Sequence, residues 1–157
     1  MELPQIEKVI SGGQTGVDRA ALDVALESGI PCGGWCPKGR KAEDGTIPDK
    51  YPLQETKSMN YVVRTEKNVR DSDGTLVLTW GPPKGGTART LVIAQKLGKP
   101  FWVIDLSRGK DPSAAKEWKQ KNKLKILNVA GPRESKAPGI YDRAVDFLRG
   151  EFNRLKK

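Results

Sequence analysis

Residues 6–10 form a short apolar, β-branched run that breaks directly into Ser11-Gly12-Gly13-Gln14-Thr15-Gly16. Val17, Ala20, Ala21, Val24 and Ala25 then recur at i, i+3, i+4, i+7 and i+8 until Gly29-Ile30-Pro31 stops the pattern. That spacing is one buried helical face. A strand that turns on glycines straight into a helix is the opening half of a strand-helix-strand unit. The unit returns further on: residues 74–80 (GTLVLTW) read as a buried strand, and Gly81-Pro82-Pro83-Lys84-Gly85-Gly86-Thr87 as its loop. Leu91, Val92, Ala94 and Leu97 then mark a helix closed by Gly98.

A strand over residues 101–106, a helix over 113–120, a strand over 124–129 and a last helix over 140–155 complete the alternation. In that last helix Tyr141, Ala144, Val145, Leu148, Phe152 and Leu155 share a side. Residues 60–70 fit a short strand or a helix equally. Alternating strands and helices imply a parallel sheet covered on both faces. Right-handed crossovers then give an α/β fold, a Rossmann-like three-layer α/β/α sandwich with a mostly parallel sheet. The chain has 157 residues and no internal repeat, so one domain over 1–157 is expected. Residues 33–52, rich in Gly, Pro and charge, make a loop longer than a compact domain keeps without a use for it.

Histidine is absent, which excludes Ser-His-Asp and Cys-His catalysis and His-ligated metal. Cys32 and Cys36 are too few for a disulfide framework or a four-ligand zinc site and read as small buried hydrophobes. With no apolar run long enough to span a bilayer and no signal-like start, a cytoplasmic location and no membrane partner are expected. The net charge of +9 is uneven: residues 107–157 hold 14 Lys/Arg against 6 Asp/Glu. A basic last third of this kind could meet nucleic acid, yet base-stacking aromatics are nearly missing there, so a solvated face is the better reading. A homodimer is the default assembly.

In open parallel sheets ligands bind beyond the carboxyl ends of the strands, at helix N-termini. Two glycine loops fall on that edge. Gly12, Gly13, Gln14, Thr15 and Gly16 lead into the first helix, and Lys84, Gly85, Gly86 and Thr87 into another. Glycine lets backbone N–H groups approach an anion closely, and the helix end carries partial positive charge. In the first loop the spacing Gly12-Gly13-x-x-Gly16 is not that of the dinucleotide motif, and no Gly-Lys-Ser/Thr follows to make a nucleoside-triphosphate loop. A shared pocket for a small anionic ligand is expected between them, with Lys84 or Arg40 supplying a cation. Asp18 reads either as a dipole partner of its own helix or as an acceptor for ligand hydroxyls. Asp71-Ser72-Asp73 reads as turn chemistry or as a source of carboxylates.

Ile10 to Ala20 (ISGGQTGVDRA), Gly34-Trp35-Cys36-Pro37-Lys38-Gly39-Arg40 with Ala42-Glu43-Asp44-Gly45, Tyr61 with Arg64-Thr65, Asn68-Val69, Asp71 to Thr75 (DSDGT) and Gly85-Gly86-Thr87 together resemble one family. It is the family named putative molybdenum carriers, a branch of the SLOG superfamily of Rossmann-like proteins. The resemblance spans nearly the whole chain. It implies a ligand site on the two glycine loops, a molybdenum cofactor, molybdate or a nucleotide as ligand, and an enzyme that receives a carried cofactor as partner. Sister families include nucleoside-monophosphate phosphoribohydrolases, whose P-G-G-x-G-T-x-x-E motif ends in a glutamate that acts on the ribose. Here that position is Thr90, which cannot serve as a carboxylate base. A carrier or other ligand-binding protein is therefore the leading expectation. An N-glycosidase using a carboxylate from elsewhere, and a sensor of nucleotide ligands, remain the alternatives. No catalytic residue and no metal ligand is assigned.

Overall fold

The computed structural model describes residues 6–109 and 112–153. In chain order its elements are β1 (Lys8–Ile10), α1 (Val17–Ser28), β2 (Cys32–Gly33), β3 (Trp35–Cys36), β4 (Lys41–Ala42), β5 (Gly45–Thr46), β6 (Gln54–Glu55), α2 (Tyr61–Asp71), β7 (Gly74–Thr79), α3 (Gly85–Lys96), β8 (Phe101–Asp105), α4 (Pro112–Lys121), β9 (Ile126–Ala130) and α5 (Ile140–Asn153). Five strands make one sheet in the order β2-β1-β9-β7-β8, and every pair in it is parallel. The fold is the expected Rossmann-like α/β sandwich.

The connection from β1 through α1 steps to one edge of the sheet, whereas that from β7 through α3 steps to the other. Right-handed crossovers therefore put the two helices on opposite faces. α1, α4 and α5 share one layer, with α1 against α5, and α2 packs beside α3 in the other. On the first face Val9, Leu76, Leu78, Leu127 and Val129 project from alternate strand positions to meet Ala20, Val24, Ala144, Leu148 and Phe152. Each fully buried Leu here contributes roughly 1.5–3 kcal/mol. The second face carries buried polar residues: Thr75, Thr79 and Asn128 lie on it, and Asn128 Nδ2 donates to Thr75 Oγ1 at 3.2 Å.

Residues 60–70, which fit either element, are helical. Asn60 caps α2 by accepting the Val62 N–H at 2.9 Å. The ninth strand starts at Ile126, not at residue 124. Lys123 has a positive φ of 53°, and the Leu124 N–H closes α4 by donating to Lys119 O, so Leu124 plugs the core instead. The expected end of the last helix at Leu155 lies outside the described residues. The long loop is ordered by a small core of its own, in which Leu22 of α1 meets Cys36, Ala42, Ile47, Tyr51 and Leu53. Cys32 and Cys36 are free thiols, and burial pushes both above the ordinary value. Among the described residues no helix is long and apolar enough to cross a membrane.

Candidate ligand cleft

β9 sits between β1 and β7, and the loops that leave the carboxyl ends of these three strands enclose a cleft of ≈ 630 Å³. Its walls are Gly12, Gln14 and Asp18 from the first loop and helix, Trp80 and residues 82–87 from the second, and residues 131–133, 136 and 137 after β9. α2 closes the remaining side with Tyr61 and Arg64, and Thr79 and Asn128 contribute from the sheet. This is the crevice that a reversal of strand order creates in an open α/β sheet.

The first glycine loop is closed upon itself. Gly16, at φ +79°, caps α1, and a Cβ there would strike the backbone of residues 132–134. The Val17 N–H donates to Pro132 O at 3.3 Å and the Arg19 N–H to Gln14 O at 3.0 Å, which occupies the helix end. Asp18, 3% exposed, is the anion at this terminus. It accepts Arg64 Nη1 at 3.0 Å and the backbone N–H of Gln14. Burial raises its carboxyl above the ordinary value despite the pull of Arg64 and Arg19.

Other residues read as ligand contacts hold the long loop in place. Thr15 Oγ1 donates to Glu43 and accepts the Glu134 N–H at 3.1 Å. Gln14 Oε1 accepts the N–H groups of Thr15 and Glu43. Arg19 joins Gly13 O to Asp44. Gly13 packs against Leu53 and Ile47. Arg40 turns away from the cleft: its guanidinium donates to the carbonyls of Ile47, Pro48, Tyr51 and Leu53 at 2.8–3.2 Å. So Gly13, Thr15, Gly16 and Arg40 lie off the cleft lining, while Gly12, Gln14, Asp18, Lys84, Gly85, Gly86 and Thr87 form part of it.

The second loop is open. Lys84 is the extended residue before α3, and its carbonyl accepts the N–H groups of Thr87 and Ala88. The N–H groups of Gly85 and Gly86, ahead of these, have no intrahelical acceptor. A Cβ on either glycine would meet no atom within 4 Å. Thr87 is buried, and Thr90 Oγ1 donates to Gly86 O at 3.0 Å, tying the helix end from below. Lys136 and Arg133 stand across the cleft on the third loop.

Asp18 is the single carboxylate among the lining residues. Asp44 pairs with Arg19, Asp71 accepts Trp35 Nε1 at 2.9 Å, and Asp73 accepts the N–H groups of Lys125 and Ile126. Both aspartates of the DSD run thus make long-range contacts, and neither lines the cleft. The cleft thus offers one open helix N-terminus with lysines around it, and a floor on which a buried carboxylate and guanidinium face each other. Such an arrangement holds an anionic group at one end and a polar group at the other.

Fold and cleft define a Rossmann-like α/β protein with a polar cleft at the topological switch point. The chain belongs to the circularly permutated YpsA SLOG family, which residues 9–151 match. Its structure is similar to the crystal structure of a protein from Syntrophus aciditrophicus named "putative molybdenum carrier protein". The two are 48% identical with a TM-score of 0.90, over 99% of this chain and 97% of that one. The sequence is also similar to a ribose-phosphate pyrophosphokinase from Thermosipho africanus, 32% identical over 91 residues. That stretch is 58% of this chain and 25% of the enzyme, so the chain spans a quarter of that relative's length.

Proposed function

We propose that the chain is a small-ligand carrier that holds a phosphate or other oxyanion on Lys84, Gly85, Gly86 and Thr87. The observation that carries this reading is the open amino terminus of α3, where two glycines place no side chain between the helix end and the cleft. Peptide N–H groups there, reinforced by Lys84, stabilise a negative group without needing a metal. The likeness to the Syntrophus protein supports cargo of the molybdenum type, either molybdate or the phosphate-bearing molybdenum cofactor, with a cofactor-receiving enzyme as partner.

The test is thermal unfolding of ligand-stripped protein with molybdate, phosphate, AMP or molybdenum cofactor at matched ionic strength. A ligand at 100 times its dissociation constant stabilises by about 2.7 kcal/mol, which raises the Tm of a domain this size by roughly 5–10 °C. Gly86→Asp is the control. Its side chain enters open space and an acid in the first turn suits the helix, so the variant folds while its carboxylate occupies the anion's place. Protection of wild type but not of Gly86→Asp supports the reading; no protection by any of the four overturns it.

One observation favours a second reading. Asp18, paired with Arg64, is the single carboxylate among the lining residues, and an ionised carboxylate there would stabilise the sugar cation formed in N-glycoside cleavage. This reading requires release of free base from AMP and its loss in Asp18→Asn. Thr90, tied to Gly86 O, supplies no second carboxylate.

A further inference from the structure

Each carboxylate oxygen of Glu43 has two partners of the kind a free oxyanion would use. Oε1 accepts Ser135 Oγ at 2.5 Å and lies 3.5 Å from Arg133 Nε. Oε2 accepts Thr15 Oγ1, and also the Ser135 N–H at 3.2 Å. Two hydroxyls, a peptide N–H and a guanidinium, drawn from the first and third loops, thus converge on one anion. Hydrogen bonds to an ionised acceptor are roughly twice as strong as neutral ones. Asp44, next in the chain, is held instead by the Arg19 guanidinium through both Nη atoms, as an ordinary ion pair.

The segment that delivers Glu43 is attached in two unlike ways. β4 and β5 form an antiparallel hairpin whose ends are anchored by buried Ala42 and Ile47. Residues 43–46, its tip, are exposed. The tip is tied to the body through the contacts of Glu43, through Asp44 on Arg19, and through the Glu43 N–H, which donates to Gln14 Oε1 at 2.8 Å. Water and dissolved ions reach such contacts and weaken them. The tip can therefore let go while the apolar anchors stay in the small core beneath it. Arg133 also lines the cleft, so its guanidinium serves both Glu43 and the cleft rim.

We propose that Thr15, Ser135 and Arg133 form an oxyanion site that Glu43 occupies as an internal ligand, and that a free oxyanion of the phosphate type displaces Glu43 and releases the hairpin tip. The site is separate from the amino end of α3 and does not depend on the reading of that end. Because Glu43 is tethered beside the site, it competes at high effective concentration. A free anion binds weakly while Glu43 is in place and tightly once it is gone, and its binding shifts the hairpin toward the released state by the same linkage.

The test uses inorganic phosphate at matched ionic strength on proteins that all carry Gly86→Asp, which removes the α3 end from the measurement. Nuclear magnetic resonance follows the Ser135 amide during titration. Adding Glu43→Ala should tighten phosphate binding at this amide at least tenfold, the value of the charge-assisted bonds that Glu43 no longer contests. The substitution lies on the exposed tip and leaves Ala42 and Ile47 in place, so the protein folds. Adding Thr15→Val to that variant removes one donor and should weaken phosphate about fivefold. With Glu43 intact, saturating phosphate should speed hydrogen exchange of the Glu43 amide at least fivefold, since its bond to Gln14 is lost with the tip.

Equal phosphate affinity with and without Glu43 overturns the site, as does a gain that Thr15→Val leaves untouched. Unchanged exchange of the Glu43 amide at saturation overturns the displacement. Either failure leaves the reading of α3 standing, because that end is blocked throughout.

Discussion

Asp18 and Arg64 meet at 3.0 Å although their helices, α1 and α2, lie on opposite faces of the sheet. They reach one another around its carboxyl edge, over Gly12. A Cβ at Gly12 would collide with the Arg64 guanidinium, so the glycine is the opening through which the pair forms. Removing one partner strands a buried charge, and Asp18→Ala is expected to cost about 3–5 kcal/mol. Gly12→Ala pushes aside the far end of a flexible side chain and acts chiefly by separating the pair. Its cost should therefore shrink in an Asp18→Asn background, with a coupling of about 1–3 kcal/mol from urea unfolding of the four proteins. Additive costs would assign Gly12 a separate role.

Glu43 latches the long loop to the third wall of the cleft. It accepts Thr15 Oγ1, the Ser135 N–H at 3.2 Å and Ser135 Oγ at 2.5 Å, and lies 3.5 Å from Arg133. Burial alone would raise its carboxyl, but the hydroxyls of Ser135 and Thr15 outweigh that and hold it below the ordinary 4.5. Asp44 is held below 3.8 by the Arg19 guanidinium. Carboxyls depressed in the folded state contribute stability that is present above their ordinary values and is lost as pH falls through the depressed ones. Asp18 is raised and acts with the opposite sign, so it adds nothing to this loss. Glu43→Gln should cost about 1 kcal/mol at neutral pH and flatten the decline of stability below pH 4.5. An unchanged acid limb in the unfolding curves would refute the latch.

Asp23 receives two phenols, Tyr51 Oη at 2.6 Å and Tyr141 Oη at 2.5 Å, and so joins the loop and α5 to α1. Burial, then the hydrogen bond to Asp23, pushes Tyr141 up to about 12 and Tyr51 higher still. A group raised in this way contributes stability that is complete below its unfolded value of 10 and disappears as pH rises through the folded one. Ultraviolet titration of the folded protein should show these two tyrosines protonated at pH 11, whereas unfolded chain ionises around 10. Tyr141→Phe is expected to cost about 1–2 kcal/mol, most visibly below pH 10.

The apolar periods of α1 and α5 and the run LVLT of β7 were legible because those elements face the packed side of the sheet. Of the elements that face the cleft, α2 was left ambiguous, and α3 was read as a helix but from residues that are partly exposed. In α2 the buried residues are Asn68 and Val69, and in α3 they are Thr87, Thr90 and Ala94, while Val92 and Leu97 point outward. Polar residues on the cleft side break the hydrophobic stripe that periodicity detects. Arg64, Thr79 and the 131–137 loop escaped for the same reason, since only the tertiary fold assembles them. The available signal was polar side chains at alternate positions of apolar strands, Thr75 and Thr79 in one and Asn128 in the other. Of the two glycine loops, sequence treated both alike, whereas α1 has filled its own anion site with Asp18.

Trp80 provides a direct report on the cleft. It is 45% exposed, lines the opening beside the loop to α3, and carries the Arg143 guanidinium 4.0 Å from its ring centroid. Trp118 is buried, and Trp102 stacks on it at 6.4 Å. Trp35 is held outside the cleft by its bond to Asp71 and by Lys67 over its ring. A ligand that occupies the cleft displaces water from Trp80 and leaves the other three tryptophans in place. Saturating AMP should therefore shift or quench the emission of wild type, and Trp80→Phe should lose that change while binding AMP by calorimetry. A signal that survives in Trp80→Phe would place AMP at another surface of the molecule.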